Sequence, residues 1–238
     1  MSLFVALALA VAAPDMAAAQ PGTSPTENRN AQSAENNPDA DKLAHAADLV
    51  KAGKPADAIM ILDEIITTFE TRYAKNPNQF FCARSMPETI VYAGLGVTTK
   101  KAVTVLDQTW CYSYFYKGFA LIDLGRGDEA KAYFDKAIAL APMNSHFLGE
   151  RGEWYKSRRD WPHAYADFES AAGYAEFSPE EMKSFDQGRA WRGMAFVLIE
   201  EGKLGEAKQV LENCLKLNPR DDKARSELEY IKSLRRTS

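Results

Sequence analysis

The sequence predicts an all-α chain, a row of antiparallel helix pairs stacked side by side with one small insert. Three observations predict it. Residues 111–144 carry two helical patterns that meet at Gly125-Arg126-Gly127. The first stacks Tyr114, Gly118 and Leu121, and the second stacks Ala130, Phe134, Ala137 and Leu140. Spacings of three and four are the helical period, and Pro142 cannot continue the second helix. The pattern also recurs. Moved on by 34 residues, Gly118, Ala130, Phe134 and Ala137 become Gly152, Ala164, Phe168 and Ala171. Finally, two further copies are spelled by Trp191, Ala195, Leu198, Gly202, Ala207, Leu211, Cys214 and Pro219, and upstream by Ala46, Leu49, Gly53, Ala58, Leu62 and Ile65.

Four registers of one small–large pattern resemble the tetratricopeptide repeat, a helix–turn–helix unit of about 34 residues. The resemblance covers about three-fifths of the chain. It implies a superhelix of helix pairs.

From its start, the chain opens with Leu3–Ala13, an apolar run followed by Pro14 and then by Ala17-Ala18-Ala19. That order is expected of a secretory signal at 1–19, with Gln20 as the first mature residue and a periplasmic or secreted destination. Residues 2–13 hold no Lys or Arg, so only the amino terminus supplies the usual positive charge. The alternative is an apolar helix retained in the fold. Residues 20–38 contain no large apolar side chain and are expected to form a disordered linker.

The first repeat spans 39–70, with Pro55 at the start of its second helix, where proline is tolerated. Residues 71–110 then fill the room of a whole repeat without its pattern. Ser85-Met86-Pro87-Glu88 has the form of a capping box, and a helix through Ile90, Val91 and Leu95 follows from it. On either side, Gln79–Cys82 and Ala102–Leu106 are β-branched or aromatic runs that prefer extended structure. A strand–helix–strand insert and a degenerate repeat with a long loop both fit. Repeats two, three and four are assigned to 111–144, 145–187 and 188–220. The third is longer than the second, because Ala164 and Ala207 stand 43 residues apart. Ser178-Pro179-Glu180-Glu181 in that extension predicts a helix start. A last helix within 221–238, capped by Asp221 and Asp222, lays Ala224, Leu228, Ile231 and Leu234 on one side and closes the array.

Composition and chemistry narrow the function. A formal charge of -4 does not suit nucleic acid, and no apolar run is long enough to cross a bilayer once the signal is removed. His45, His146 and His163 stand far apart and form no metal spacing, and neither a phosphate loop nor a nucleophile elbow occurs. No catalytic residue, metal or cofactor is expected. Cys214 occupies the packed position of Ala137 and Ala171, so it is expected to be a buried thiol. Cys82 and Cys111 bracket the insert and are expected to pair in an oxidising compartment, the alternative being no bridge at all.

The resemblance implies a non-catalytic scaffold that binds a protein or peptide partner in the concave groove of the first helices. Some relatives hold a partner's C-terminal carboxylate with a lysine and an asparagine there. The matching places here are Phe115 and Phe119, Gly149 and Glu153, Arg192 and Phe196, so that clamp is absent. The expected groove holds Tyr112, Phe115, Tyr116, Phe119, His146, Glu153, Lys156, Arg189 and Arg192, which suits a segment with apolar anchors and an acidic end. In the competing arrangement Phe115 and Phe119 pack beneath the insert. Two other classes stay open: a self-associating envelope subunit, and an enzyme with a pocket formed by the insert.

Overall fold

The computed structural model describes residues 37–237, so the expected signal at 1–19 and most of the linker at 20–38 lie outside the described residues. Helices α1 (Pro38–Lys51) and α2 (Pro55–Tyr73) form the first pair. The insert is β1 (Gln79–Cys82), α3 (Met86–Thr99) and β2 (Val103–Leu106). Three pairs follow: α4 (Thr109–Asp123) with α5 (Gly127–Leu140), α6 (Ser145–Ser157) with α7 (Trp161–Tyr174), and α8 (Lys183–Glu200) with α9 (Leu204–Leu217). Helix α10 (Asp222–Thr237) ends the row. Because α2 packs directly on α4, the array continues past the insert, which loops out from it.

Within each pair, one residue of the first helix faces one of the second, and their sizes compensate. Gly118 faces Phe134: a Cβ on it would lie 2.6 Å from the ring. Gly152 faces Phe168 in the same way, at 2.8 Å. Where the first helix carries Ala46 or Ala195 instead, the buried residue at the matching place of the second is Leu62 or Leu211. The glycines therefore admit a phenyl ring, a more specific role than the close backbone approach that small residues suggest from sequence. The turns repeat as well. Gly53, Gly125 and Gly202 all adopt φ near +70°, and the third turn puts Arg159 in the same left-handed region.

The insert is a strand–helix–strand unit with parallel strands, in register from Gln79 opposite Val103 to Cys82 opposite Leu106. Its core is Phe81 stacked on Tyr92 at 5.0 Å. Ser85 Oγ accepts from the Glu88 N–H at 3.2 Å, as the capping pattern predicts. The Glu88 carboxylate reaches one residue further back than expected and accepts from the Arg84 N–H at 2.6 Å.

Lying where the chain passes from the second helix of one pair to the first of the next, the insert bonds to two later connectors of the same kind. The Met143 N–H donates to Tyr92 Oη at 3.1 Å, and Ser85 Oγ donates to the Phe177 carbonyl at 2.6 Å. Arg84 is buried between them, forking onto Glu88 Oε1 through Nε (3.1 Å) and Nη2 (3.0 Å). Its Nη2 also donates to Ser178 Oγ at 3.1 Å. Ser178 in turn donates to Asp186 Oδ2 at 2.7 Å. The insert thus braces the array along one edge, joining the α5–α6 and α7–α8 connectors.

That brace explains one departure from the sequence expectation. Ser178-Pro179-Glu180-Glu181 does not begin a helix; after the 3-10 turn Ala175–Phe177, α8 starts at Lys183. The Ser178 hydroxyl is committed to Asp186 and Arg84, leaving it unable to cap. At the far end, Asp221 Oδ1 does cap α10, accepting from the Ala224 N–H at 3.0 Å. Cys214 is buried in the α8–α9 pair. Cys82 and Cys111 are free thiols, both buried and within hydrogen-bonding reach of each other.

Candidate functional site

One face of the array is formed by α4, α6, α8 and α10. Positions three and four apart on each helix come to this face because the opposite side is packed into the pair. A cavity of about 590 Å³ opens between α8, α9 and the approach to α10, and two smaller ones lie along the face among the described residues. The first of these two, about 380 Å³ and open to solvent, is lined by Arg84 of the insert, Gln108, Tyr112 and Tyr116 of α4 and its approach, His146 of α6, and Pro179, Glu181 and Met182. The second, about 260 Å³, lies between Glu153 and Lys156 of α6, Phe185, Arg189, Arg192 and Phe196 of α8, and Lys223 and Glu227 of α10.

The aromatic residues expected in the groove divide. Tyr112 and Tyr116 are half-buried and line the first cavity. Phe115 is only 2% exposed: its ring stacks on Phe147 of the next pair at 4.5 Å, which withdraws it from any groove. Phe119 packs edge-on against Phe115 and Phe134, at 4.9 and 5.8 Å. These rings join one repeat to the next, and neither arrangement considered from the sequence, groove floor or packing under the insert, describes Phe115.

The charged residues are paired inside the chain. Arg189 forms an ion pair with Glu150 and places Nη1 3.2 Å from His146 Nδ1. Arg192 is paired with Asp221, and Lys156 with Glu153. The Lys156 ammonium also stands 4.6 Å over the Phe196 ring. Glu150 and Glu227 were not singled out in the sequence, and Asp221 was read there only as a helix cap. Glu150 lies 34 residues after Tyr116, so the repeat period could have found it.

Burial sets the protonation of the first cavity. It raises the Tyr112 phenol to about 12, and it lowers the His146 imidazole from 6.5 to about 3, helped by the Arg189 and Arg84 guanidiniums. Since Arg189 can only donate, His146 Nδ1 is the acceptor and Nε2 carries the proton. The linkage has a definite sign. The unfolded chain takes up a proton on His146 below about 6.5 that the folded chain refuses until about 3. Stability from this residue is therefore fully present above that range and is lost as pH falls through it. Between pH 7 and 5 the parent should lose roughly 2 kcal/mol that a His146→Gln variant does not. Urea unfolding of both proteins at the two pH values measures it, and parallel losses would show that His146 is not the buried neutral group.

Among the described residues no group of three or more His, Cys, Asp or Glu could hold a metal ion, and no helix is long and apolar enough to cross a membrane.

Comparison with known proteins agrees with the architecture. Tetratricopeptide repeat family models match residues 111–144 and 189–221, so the chain contains tetratricopeptide repeats. Among solved structures, it is similar to the nearly identical TPR-like repeats of a Podosopora anserina protein described as a kinesin light chain. That match has a TM-score of 0.50 and 11% identity, covering 84% of this chain and 97% of that one. A singly substituted form of the same repeats matches at TM-score 0.50 and 11% identity, over 82% and 92% of the two chains. At such identity the likeness is one of fold. No curated protein matches the chain.

Proposed function

We propose that the chain is an exported, non-catalytic interaction scaffold that holds a segment of a partner protein along the face of α4, α6, α8 and α10. The observation that carries this reading is that two cavities on that face are each walled by aromatic and charged side chains from successive first helices. Tetratricopeptide arrays in general bind proteins, which sets the class of partner. The brace supports the same reading. A rigid array presents its face without first having to order it, and that lowers the entropic cost of binding. Catalysis has less to work with, since an imidazole held neutral down to about pH 3 makes a poor base at neutral pH.

Export rests on the apolar run Leu3–Ala13 and the triplet Ala17-Ala18-Ala19. In an oxidising compartment, the neighbouring thiols of Cys82 and Cys111 join while the insert is still folding and both remain accessible. One S–S bond forms, and two protons and two electrons pass to an oxidised dithiol protein. The bond closes a loop of about 30 residues, worth on the order of 3.5 kcal/mol by loop entropy.

A second reading, self-association, is favoured by one observation. Met86, Ile90 and Val97 of α3 are 70%, 65% and 84% exposed. A single experiment separates the two. Photo-crosslinking side chains are placed at Tyr116 or at Ile90, and the protein is recovered from the cell envelope. The proposal expects crosslinks from position 116 to another polypeptide, none from position 90 to a second copy, an amino terminus at Gln20 and an 82–111 peptide link. Crosslinks only between copies would favour self-association. Protein in the cytoplasm that still carries Met1 would overturn export.

A further inference from the structure

The charges on the proposed binding face do not all cancel locally. Arg189, Arg192 and Lys156 are each held by an acid of the same chain, Glu150, Asp221 and Glu153. Lys223 is exposed, so water and salt screen it. Glu227 is different. Its Oε2 is shielded from water and accepts no hydrogen bond, and burial raises its carboxyl above the usual carboxylate range against the opposing pull of Lys156 and Arg192. A desolvated carboxylate oxygen without a donor is costly, and a ligand that supplies the donor recovers that cost on binding. In front of it lies the cavity of about 260 Å³, walled on the α8 side by Phe196, by Phe185, which is 54% exposed, and by the already paired Arg189 and Arg192, with Lys223 at its α10 edge. Aromatic faces beside a carboxylate are the ordinary surroundings of a bound cation, and the Lys156 ammonium already uses the Phe196 ring in this way.

Resting on the groove reading above, we infer that the cavity between Phe185, Phe196 and Glu227 receives a basic side chain of the bound segment, an arginine or lysine whose cation seats against Glu227. This reverses the polarity expected from the sequence, where Arg189 and Arg192 pointed to an acidic partner. Those arginines already hold carboxylates, and the oxygen left without a hydrogen-bond donor belongs to an acid.

The test uses the full chain and small probes. N-acetyl-arginine amide and N-acetyl-citrulline amide have nearly the same shape, and only the first is charged. Followed by NMR, the arginine probe should saturate resonances around Phe185 and Glu227 at millimolar concentration, at least five-fold tighter than the citrulline probe. Glu227→Gln should erase that preference while melting no lower than the parent, since desolvation of the carboxylate outweighs the pull of Lys156 and Arg192. Equal binding of the two probes, an unchanged preference in Glu227→Gln, or stronger binding of N-acetyl-glutamate amide would each overturn the inference. The groove reading fails separately. If partner crosslinks from position 116 persist while the arginine probe shows no preference, the groove stands and the cation site falls. If the probe binds but no partner crosslinks there, the site takes small cations and the groove reading falls.

Discussion

Replacing Arg84 with methionine should destabilise the protein by about 3–5 kcal/mol, the usual cost of leaving a buried carboxylate without its cation. Two carboxylates are at stake. The side chain of Glu88 is 0% exposed and that of Asp186 1%, with the Arg84 guanidinium between them, itself only 5% exposed. Asp186 Oδ1 already lacks a hydrogen-bond partner, so the loss of Arg84 leaves this carboxylate still less compensated. Methionine fills a similar length and leaves little cavity, which isolates the electrostatic part of the effect. The loss should be local before it is global. Amide exchange should quicken first in α3 and the 175–182 connector, because Arg84 and Ser85 are what tie them together. Arg84→Lys should fall between parent and Arg84→Met, since an ammonium keeps the charge but cannot fork onto Glu88 and reach Ser178 together. Chemical unfolding with mapped hydrogen exchange reads both quantities. A loss below about 1 kcal/mol would mean that water or repacking compensates the acids.

The brace was the part of this fold least legible in the sequence, and the reason is physical. A repeat announces itself because one packing solution is written four times, and Gly118, Gly152, Ala195 and Ala46 can be aligned by counting. The strands of the insert were legible for a local reason, their β-branched and aromatic composition at Gln79–Cys82 and Val103–Leu106. Arg84 contacts Ser178 across 94 residues, and Ser85 contacts Phe177 across 92. Nothing periodic links those positions, and each taken alone reads as a cap or a surface charge. The face was half legible for a related reason. Helical spacing placed His146, Glu153, Lys156, Arg189 and Arg192 on one side, where they line the two cavities, but spacing cannot say which charges are already held. Phe115 shows the same limit, since its partner Phe147 belongs to the next pair and an aromatic stripe looks alike whether it faces solvent or a neighbour.

The second large effect is expected where two repeats share one ring. Phe168 is fully buried in α7, with Gly152 of its own pair on one side and Gly193 of the next pair on the other. A Cβ at Gly152 would stand 2.8 Å from the ring, and one at Gly193 2.5 Å, closer than packed atoms tolerate. Gly193→Ala must therefore push the ring or separate α7 from α8, at a cost of about 1–3 kcal/mol. Phe168→Ala removes the ring outright and should cost about 3–5 kcal/mol. The informative variant combines Gly193→Ala with Phe168→Leu. The pairs built on Ala46–Leu62 and Ala195–Leu211 show that alanine with leucine is a packing this array already uses within a repeat. The double variant should be more stable than the sum of its single losses by at least 1 kcal/mol, the coupling expected of residues in direct contact. Equilibrium unfolding of the four proteins completes the cycle. Strict additivity would show that the glycine is needed by the helix backbone rather than by the ring.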